Sequence, residues 1–447
     1  MNQKGKIGIT YGTFDLFHDG HLNILKRARE LCDFLIVGVT TNNYDLSRGK
    51  LNVVEDVQDR IASVQKTELA DLVISEDYDG QKVQDIKKFN VDIFVIGDDW
   101  LGKFDYLKSH VDVRYLPRTK NVSSTQIRAS MYDILSIGIV GTGRIANRMI
   151  PESKYVSGLN FKSVYSRSEE RAQEFARKHE LANATASYSD FLSGVDAVYV
   201  ASEHQFHYQD VKSALSAGKH VLVEKPAVLT SKELIELASL AKDSNLIFME
   251  GIKTAYAPAY RKLCEISQSG IIGRIVDVSA TFTKLVDENS RELDMSRSGG
   301  ALNELGSYVL LPIVDLLGRP TSCLTHFELM GGVDTFCKLT MTFNGSSFAT
   351  ATVGLCVKKE GDLVISGDKG YLYVPAPWWK TEYFEVRFED SSRNKKYFYA
   401  FEGDGLRYEL SAFLKSIREG GTSTDIFNIE KSIDIISIIE GCRERFC

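Results

Sequence analysis

What this chain of 447 residues lacks narrows it first. No apolar run approaches the ~20 residues that a membrane span needs. No basic tract of the kind that follows a nucleic-acid backbone interrupts a net charge of −6. Membrane and nucleic-acid partners are therefore not expected. The polar start, Met1-Asn2-Gln3-Lys4, does not read as a signal peptide. The seven cysteines are odd in number and contain no CxxC pair. That excludes a disulfide framework and a zinc site and reads as reduced thiols, which places the chain in the cytoplasm. Internal repeats and low-complexity segments are missing too.

What is present is ordinary for a globular protein: 26% charged and 43% hydrophobic residues. The length suits two to four domains, each able to bury a core, at roughly 100–200 residues apiece. Up to about residue 131, apolar runs at 7–11, 34–40, 72–75, 91–96 and 111–116 alternate with amphipathic stretches such as 22–31, where Leu22, Leu25 and Ala28 share a helical face. Buried parallel strands covered by helices explain the alternation. A second βαβ series starts within a few residues, with strands expected at 134–140, 162–166, 197–201, 221–224 and 247–250. Beyond about residue 255 long alternating segments (275–282, 338–343, 347–353, 371–374, 383–388) predict a mostly antiparallel sheet, with helices near 300–317, 406–417 and 429–443. The expected domains are 1–131, 132–254 and 255–447.

Two nucleotide fingerprints stand in tandem. The first, Tyr11-Gly12-Thr13-Phe14-Asp15-Leu16-Phe17-His18-Asp19-Gly20-His21, falls where a strand-following loop enters a helix. A helix N-terminus offers free N–H groups and partial positive charge to phosphate. Two imidazoles there can bond phosphate oxygens that gain charge in an in-line displacement, although two incidental loop histidines would look the same. The wider text resembles the glycerol-3-phosphate cytidylyltransferases of the HxGH nucleotidyltransferase superfamily. It includes Gly97-Asp98-Asp99-Trp100, Leu116-Pro117-Arg118-Thr119 and Val122-Ser123-Ser124-Thr125, the last two resembling an RTxxIST(T) signature. The resemblance covers almost all of residues 6–128. It implies that His18 and His21 stabilise the transition state at the α-phosphate of CTP. Thr13, Phe14, Asp15, Asp98, Asp99, Trp100, Arg118, Thr119, Ser123, Ser124 and Thr125 would line the nucleotide. Arg48, Lys50 and Arg60 would hold the phosphorylated substrate and the triphosphate, unless Arg48 and Lys50 are only a solvated loop. Mg²⁺ would accompany the triphosphate, with no resident metal. One departure is Glu68, where relatives carry a second arginine.

The second fingerprint is Gly141-Thr142-Gly143-Arg144-Ile145-Ala146, between a strand and a helix. The acidic residue that NAD sites carry about 25 residues on is absent. Ser166 and Arg167 stand there, with Arg171 following. Arginine and hydroxyls suit a 2′-phosphate, which favours NADP(H) and leaves NAD(H) possible. Arg167 as a plain helix-entry residue is the alternative. Two further stretches follow: Gly218-Lys219-His220-Val221-Leu222-Val223-Glu224-Lys225-Pro226 and Gly299-Gly300-Ala301-Leu302-Asn303-Glu304-Leu305-Gly306-Ser307-Tyr308. Together these resemble the glucose–fructose oxidoreductase / inositol dehydrogenase (Gfo/Idh/MocA) family over about residues 134–447. The resemblance implies Lys225 beside the nicotinamide and the substrate, Tyr308 as acid–base residue, and Glu304 in place of an aspartate. It puts Ser202, His204 and Glu224 with Gly141 to Ile145 on the cofactor side. Lys225 is expected to pull the Tyr308 phenol down from its unperturbed value near 10. The segment Ser202-Glu203-His204-Gln205-Phe206-His207 departs from the family's TPNxxH, and His204 reads as loop structure more readily than as catalysis. Lys253 and Arg297 could clamp a substrate phosphate or be ordinary solvated charges.

The fold expected is thus α/β: a Rossmann-like HxGH nucleotidyltransferase domain, a Rossmann NAD(P)-binding domain, and an α+β domain with a large, mostly antiparallel sheet. A polyol phosphate would link the two activities, giving a CDP-polyol for capsule or teichoic-acid-like polymers. Three alternatives stay open: an oxidoreductase that acts on the CDP-linked product, use of ATP in place of CTP, and a dehydrogenase-like unit that only binds NADP(H) as a regulatory or dimerisation module. A homodimer or larger homo-oligomer is expected, to cover open sheet faces.

Overall fold

Strand Ile7–Gly12 (β1) sits at the centre of the first sheet. A computed structural model describes residues 5–47, 53–78, 80–117, 134–401, 403–420 and 427–444. The chain divides into two units, Met1–Ile134 and Leu135–Cys447.

In the first unit β1 is joined by Phe34–Thr40 (β2), Leu72–Glu76 (β3), Ile93–Gly97 (β4) and Asp112–Leu116 (β5), in the order β3-β2-β1-β4-β5. All four pairings are parallel. Strand β2 is buried from Leu35 to Thr40 because helices cover both faces. One face packs Tyr11 and Phe94 with Ile9 and Ile86, the other Leu25 with Val37 and Val95. Gly38 is needed here, since a Cβ on it would lie 2.2 Å from the Tyr11 ring. The strand order reverses between β1 and β4, the place where open α/β sheets bind ligands. The histidine motif follows β1, and Asp98 and Trp100 follow β4.

The second unit begins with a parallel six-stranded sheet: Leu135–Val140 (β6), Leu159–Tyr165 (β7), Asn183–Thr185 (β8), Ala197–Val200 (β9), His220–Glu224 (β10) and Phe248–Gly251 (β11). Its order is β11-β10-β9-β6-β7-β8, so the switch point lies between β6 and β9. Gly141 follows β6, Ser202 follows β9 and Lys225 follows β10, all at that crevice. The sequence pattern missed β8, three part-exposed residues at the sheet edge with no apolar run.

An eight-stranded sheet completes the unit: Ile275–Thr283 (β12), Ser322–Met330 (β13), Val333–Thr342 (β14), Phe348–Gly354 (β15), Leu363–Gly367 (β16), Tyr371–Val374 (β17), Tyr383–Arg387 (β18) and Lys395–Phe398 (β19). The order is β13-β14-β15-β12-β16-β17-β18-β19. It is antiparallel apart from β12, which runs parallel to β15. The periodicity had missed β13, which has no fully buried residue along its length, and the short strands β16 and β19. Helix Ala301–Leu317, largely buried, packs on β12, β14 and β15 and carries Glu304 and Tyr308. Among the described residues no helix is long and apolar enough to cross a membrane.

Candidate active sites

At the first site the backbone turns sharply after β1. Phe14 (φ 55°) and Leu16 (φ 49°) both occupy the left-handed region, which non-glycine residues rarely adopt outside constrained sites. The turn delivers His18 to the N-cap of helix Asp19–Arg29, where its Nδ1 accepts from the Gly20 N–H at 3.0 Å. That bond fixes the tautomer and leaves the proton on Nε2. His21, one turn on, stacks on His18 with ring centroids 3.9 Å apart and planes 18° apart. Phe14 and Phe17 hold His21 from the other side at 5.3 and 5.5 Å. Two imidazoles are thus stacked at the positive end of a helix.

The neighbours expected on the nucleotide divide into three groups. Trp100 lies in the short helical turn Asp98–Trp100, with the Lys103 ammonium 4.6 Å from its ring. Arg48, Lys50, Arg118, Thr119, Ser123, Ser124 and Thr125 lie outside the described residues, as does the Asp99 side chain. Asp15 and Arg60 are engaged within the protein. Asp15 Oδ1 accepts the backbone N–H groups of Val54 and Glu55 at 2.9 and 3.0 Å. Arg60 is fully buried. Its Nη1 donates to the carbonyls of Thr13 and Thr40, both at 2.8 Å, its Nη2 to Asn42 Oδ1 at 2.6 Å and its Nε to Glu55 O at 3.0 Å. The Asp45 carboxylate completes the shell at 3.3 Å. The expectation that Arg60 holds phosphate is corrected here: it ties together the loops after β1 and β2. Glu68 is exposed, in the left-handed conformation just past helix Val57–Gln65.

At the second site Gly141 (φ 98°) is forced by contact as well as conformation, since a Cβ there would lie 2.7 Å from the Ala201 carbonyl. Gly143 precedes helix Arg144–Ser153, and a Cβ on it would meet nothing within 4 Å. The turn is therefore tight beneath and open above, as a pyrophosphate requires. Past β7, Ser166 Oγ accepts from the Ser168 N–H at 3.3 Å. The exposed Arg167 guanidinium stacks 3.5 Å over the Phe206 ring. Arg171 stands exposed in the first turn of helix Glu169–His179. Ser202 Oγ donates to Asp210 at 2.6 Å.

The reactive side chains gather around one turn of helix Ala301–Leu317. Lys225 Nζ donates to the Glu304 backbone carbonyl at 2.8 Å and lies 5.5 Å from the Tyr308 ring centroid. The Glu304 carboxylate is forked by Arg291 at 2.8 and 3.3 Å, and His204 Nδ1 lies 3.8 Å from its Oε1. Phe282 packs 5.4 Å from Tyr308 and stacks on Trp379 at 3.5 Å, which makes an aromatic wall.

Three expectations change. Tyr308 is pushed well above the usual tyrosine value, by burial first and then by the Glu224 and Glu409 carboxylates. The phenol is held protonated, because burial and the two carboxyls outweigh the opposing Arg144 and Arg148 guanidiniums. Lys253 is buried and donates to the Asp404 carbonyl at 2.6 Å, with burial lowering its pKa. Arg297 pairs with Glu203 at 2.5 and 3.2 Å, which holds that carboxyl below the ordinary glutamate value. Neither cation stands ready to clamp a phosphate. Glu224 accepts from the Tyr199 hydroxyl at 2.5 Å and is raised by burial. Sequence reasoning missed Arg291, which no motif marks, and gave no role to His207. The His207 ring is fully buried between the carbonyls of Pro226 (Nδ1, 2.9 Å) and Ser202 (Nε2, 3.0 Å), where it fastens the Lys225 loop to the turn after β9.

These two sites define a nucleotidyltransferase joined to an oxidoreductase. Residues 9–130 match the cytidylyltransferase-like family. Residues 135–252 match the oxidoreductase family with an NAD-binding Rossmann fold, and residues 260–373 the GFO/IDH/MocA C-terminal domain. The chain belongs to the cytidylyltransferase-like family in its N-terminal unit, fused to GFO/IDH/MocA oxidoreductase domains. A glycerol-3-phosphate cytidylyltransferase of Bacillus spizizenii is 48% identical over 123 residues, 28% of this chain and 95% of that protein. The scyllo-inositol 2-dehydrogenase (NADP(+)) of Bacillus subtilis is 27% identical over 328 residues, 70% of this chain and 97% of that protein. A 3-ketoreductase from Actinomadura kijaniata, solved with NADP and TDP-benzene, has the same fold as the second unit: TM-score 0.63 at 22% identity, over 70% of this chain and 98% of that one.

Proposed function

We propose that this bifunctional enzyme makes a CDP-activated polyol. One site reduces a ketose or aldose phosphate with NADPH, and the other transfers CMP from CTP to the resulting polyol phosphate and releases pyrophosphate. The observation that carries the reading is that each half has its own charge-handling set: stacked His18 and His21 on a helix N-terminus, and Lys225, Glu304 and Tyr308 around one helical turn.

The two chemistries suit those sets. A phosphate monoester is already ionised at neutral pH, so the transferase needs positioning and charge neutralisation rather than a base. The His18 and His21 rings supply donors where the α-phosphate oxygens gain charge, and any Mg²⁺ arrives with the triphosphate. At the second site the turn from Gly141 to Ile145 fits a pyrophosphate, and Arg167 on Phe206, with Ser166 and Arg171 beside it, suits a 2′-phosphate. When bound, NADPH supplies the hydride. Lys225 then bonds the carbonyl oxygen, and protonated Tyr308 donates a second hydrogen bond beside it. The NADP(+) dehydrogenase among the relatives supports the same cofactor. Leu324, Met330 and Phe348 are exposed on the large sheet, which supports self-association of the 255–447 region. The product is of the activated kind that extends surface polymers.

The test is NADPH oxidation against ketose and aldose phosphates, followed by addition of CTP. Turnover of one sugar phosphate and CMP transfer to its product are expected. Normal cytidylyl transfer with no oxidation of NADPH by any of them would reject the reductase and leave a cofactor-binding module.

A further inference from the structure

Tyr308, held protonated, is poorly placed to take up a proton when the reaction runs toward the carbonyl, and the structure offers another group. His204 is the first residue of helix His204–Ser216, at the turn after β9. It is nearly fully buried, and among the described residues its Nδ1 has no hydrogen-bond partner. A buried ring nitrogen without a partner is uncommon and calls for an explanation. The Ser298 backbone lies near the ring, and the Nε2–H tautomer is the one that leaves the unpartnered Nδ1 a lone pair.

That lone pair faces Glu304 Oε1 at 3.8 Å. Both are acceptors, and the gap is too long for a direct hydrogen bond. Glu304 Oε1 already accepts from Arg291, so the atom that lacks a donor is Nδ1, and a substrate hydroxyl between the two supplies one. The same Glu304 accepts Lys225 Nζ on its backbone carbonyl and Arg291 on its carboxylate. Arg291 fixes the carboxylate, and Lys225 marks where the reacting oxygen sits. The charged and titratable groups around the ring are His207 on its own helix, Lys225 after β10, Arg291 before the Gly299-Gly300 turn, and Glu304 on helix Ala301–Leu317.

We propose that His204 is a catalytic acid–base residue of the reductase site, exchanging through Nδ1 the proton of the reacting hydroxyl, which lies between it and Glu304. The proposal rests on the reductase reading above. In the alcohol-forming direction the carbonyl carbon takes a hydride from the reduced nicotinamide. The resting ring has by then taken a solvent proton on Nδ1; the C=O π pair moves to oxygen, that oxygen takes the Nδ1 proton, and the ring returns to its neutral form. In reverse, Nδ1 takes the hydroxyl proton as hydride leaves for the oxidised nicotinamide. Tyr308 serves as a hydrogen-bond donor throughout.

The test uses full-length H204N, which restores the residue type of TPNxxH, beside Y308F. H204N is expected to lose on the order of 10²-fold or more in kcat, to keep its NADPH affinity by fluorescence titration, and to lose the ionisation seen in the wild-type kcat–pH profile. Y308F is expected to lose less and to keep that ionisation. A kcat for H204N within about threefold of wild type, or an unchanged pH profile, overturns the proposal. If the wild type turns over no sugar phosphate, the reductase reading fails by itself. His204 is then judged from imidazole NMR spectra of the free protein, its signal assigned by its loss in H204N. A neutral ring with its proton on Nε2 at pH 7 sustains the proposal, and a proton on Nδ1 overturns it.

Discussion

The two sites are built in opposite ways. Among the described residues, the rings and the cap that touch His18 and His21 come from the turn after one strand and from one helix start. The reductase centre draws Glu203 and His204 from the end of β9, Lys225 from the end of β10, Arg291 and Arg297 from a loop after β12, and Glu304 and Tyr308 from a helix further on. The first site handles charge that develops on phosphate and needs fixed donors at a helix end. The second handles a proton, so burial and neighbouring charges decide what each group does. The contrast teaches that a local site can be read as a motif, while a dispersed one depends on pairings that no motif records.

Single substitutions separate the two halves, and the largest effect is expected at the first. His18→Ala should lower CDP-polyol formation on the order of 10²–10³-fold and leave NADPH oxidation unchanged. Equal loss of both activities would mean the sites are not independent. Lys225→Met should do the reverse, with on the order of 10²-fold loss of NADPH oxidation and normal cytidylyl transfer.

Arg60→Met sharpens the contrast differently. Arg60 and Asp45 are both essentially fully buried, and removing one partner of such a pair costs about 3–5 kcal/mol. Chemical denaturation of the N-terminal unit should show that loss. A variant that is fully stable but slow with CTP would restore the phosphate-binding role. Arg167→Ala should narrow the preference for NADPH over NADH by about 1.5–3 kcal/mol, the worth of a hydrogen bond to a charged group. Dissociation constants for the two cofactors measure it.

The smallest effect concerns pH. Asp334 accepts the Leu302 N–H at 2.8 Å at the start of the helix that carries Glu304 and Tyr308. Burial pushes its pKa up to about 6. A carboxyl raised in the folded state stabilises below its unfolded value, near 3.9, and that contribution is lost as pH rises through the folded one. Between about pH 4 and 6 the wild type should therefore lose on the order of 1 kcal/mol relative to Asp334→Asn. Thermal midpoints of the two across that range decide it, and parallel curves would contradict the assignment.

Much of the architecture was legible in the sequence. The strand and helix alternation placed the parallel strands, apart from the short edge strand β8. The two fingerprints fell at the switch points because those turns demand glycine and a helix start. The C-terminal sheet was legible in part: the second half of β14 and the start of β15 alternate, whereas β13 has no fully buried face to mark it. Charge pairing was not legible. Arg60 was read as a phosphate ligand, and Lys253 and Arg297 as either phosphate clamps or solvated charges, because cations near a site look alike in one dimension. Their partners are Asp45, the Asp404 carbonyl and Glu203, the last two remote in sequence. The raised Tyr308 likewise depends on Glu409, a hundred residues away in sequence.

The most direct test of the account is mass spectrometry of products from CTP, a sugar-phosphate library and NADPH deuterated at the transferable position. A CDP-polyol carrying one deuterium, lost on Lys225→Met and absent with His18→Ala, is the predicted result. A CDP-linked product without deuterium would contradict a reduction coupled to cytidylyl transfer.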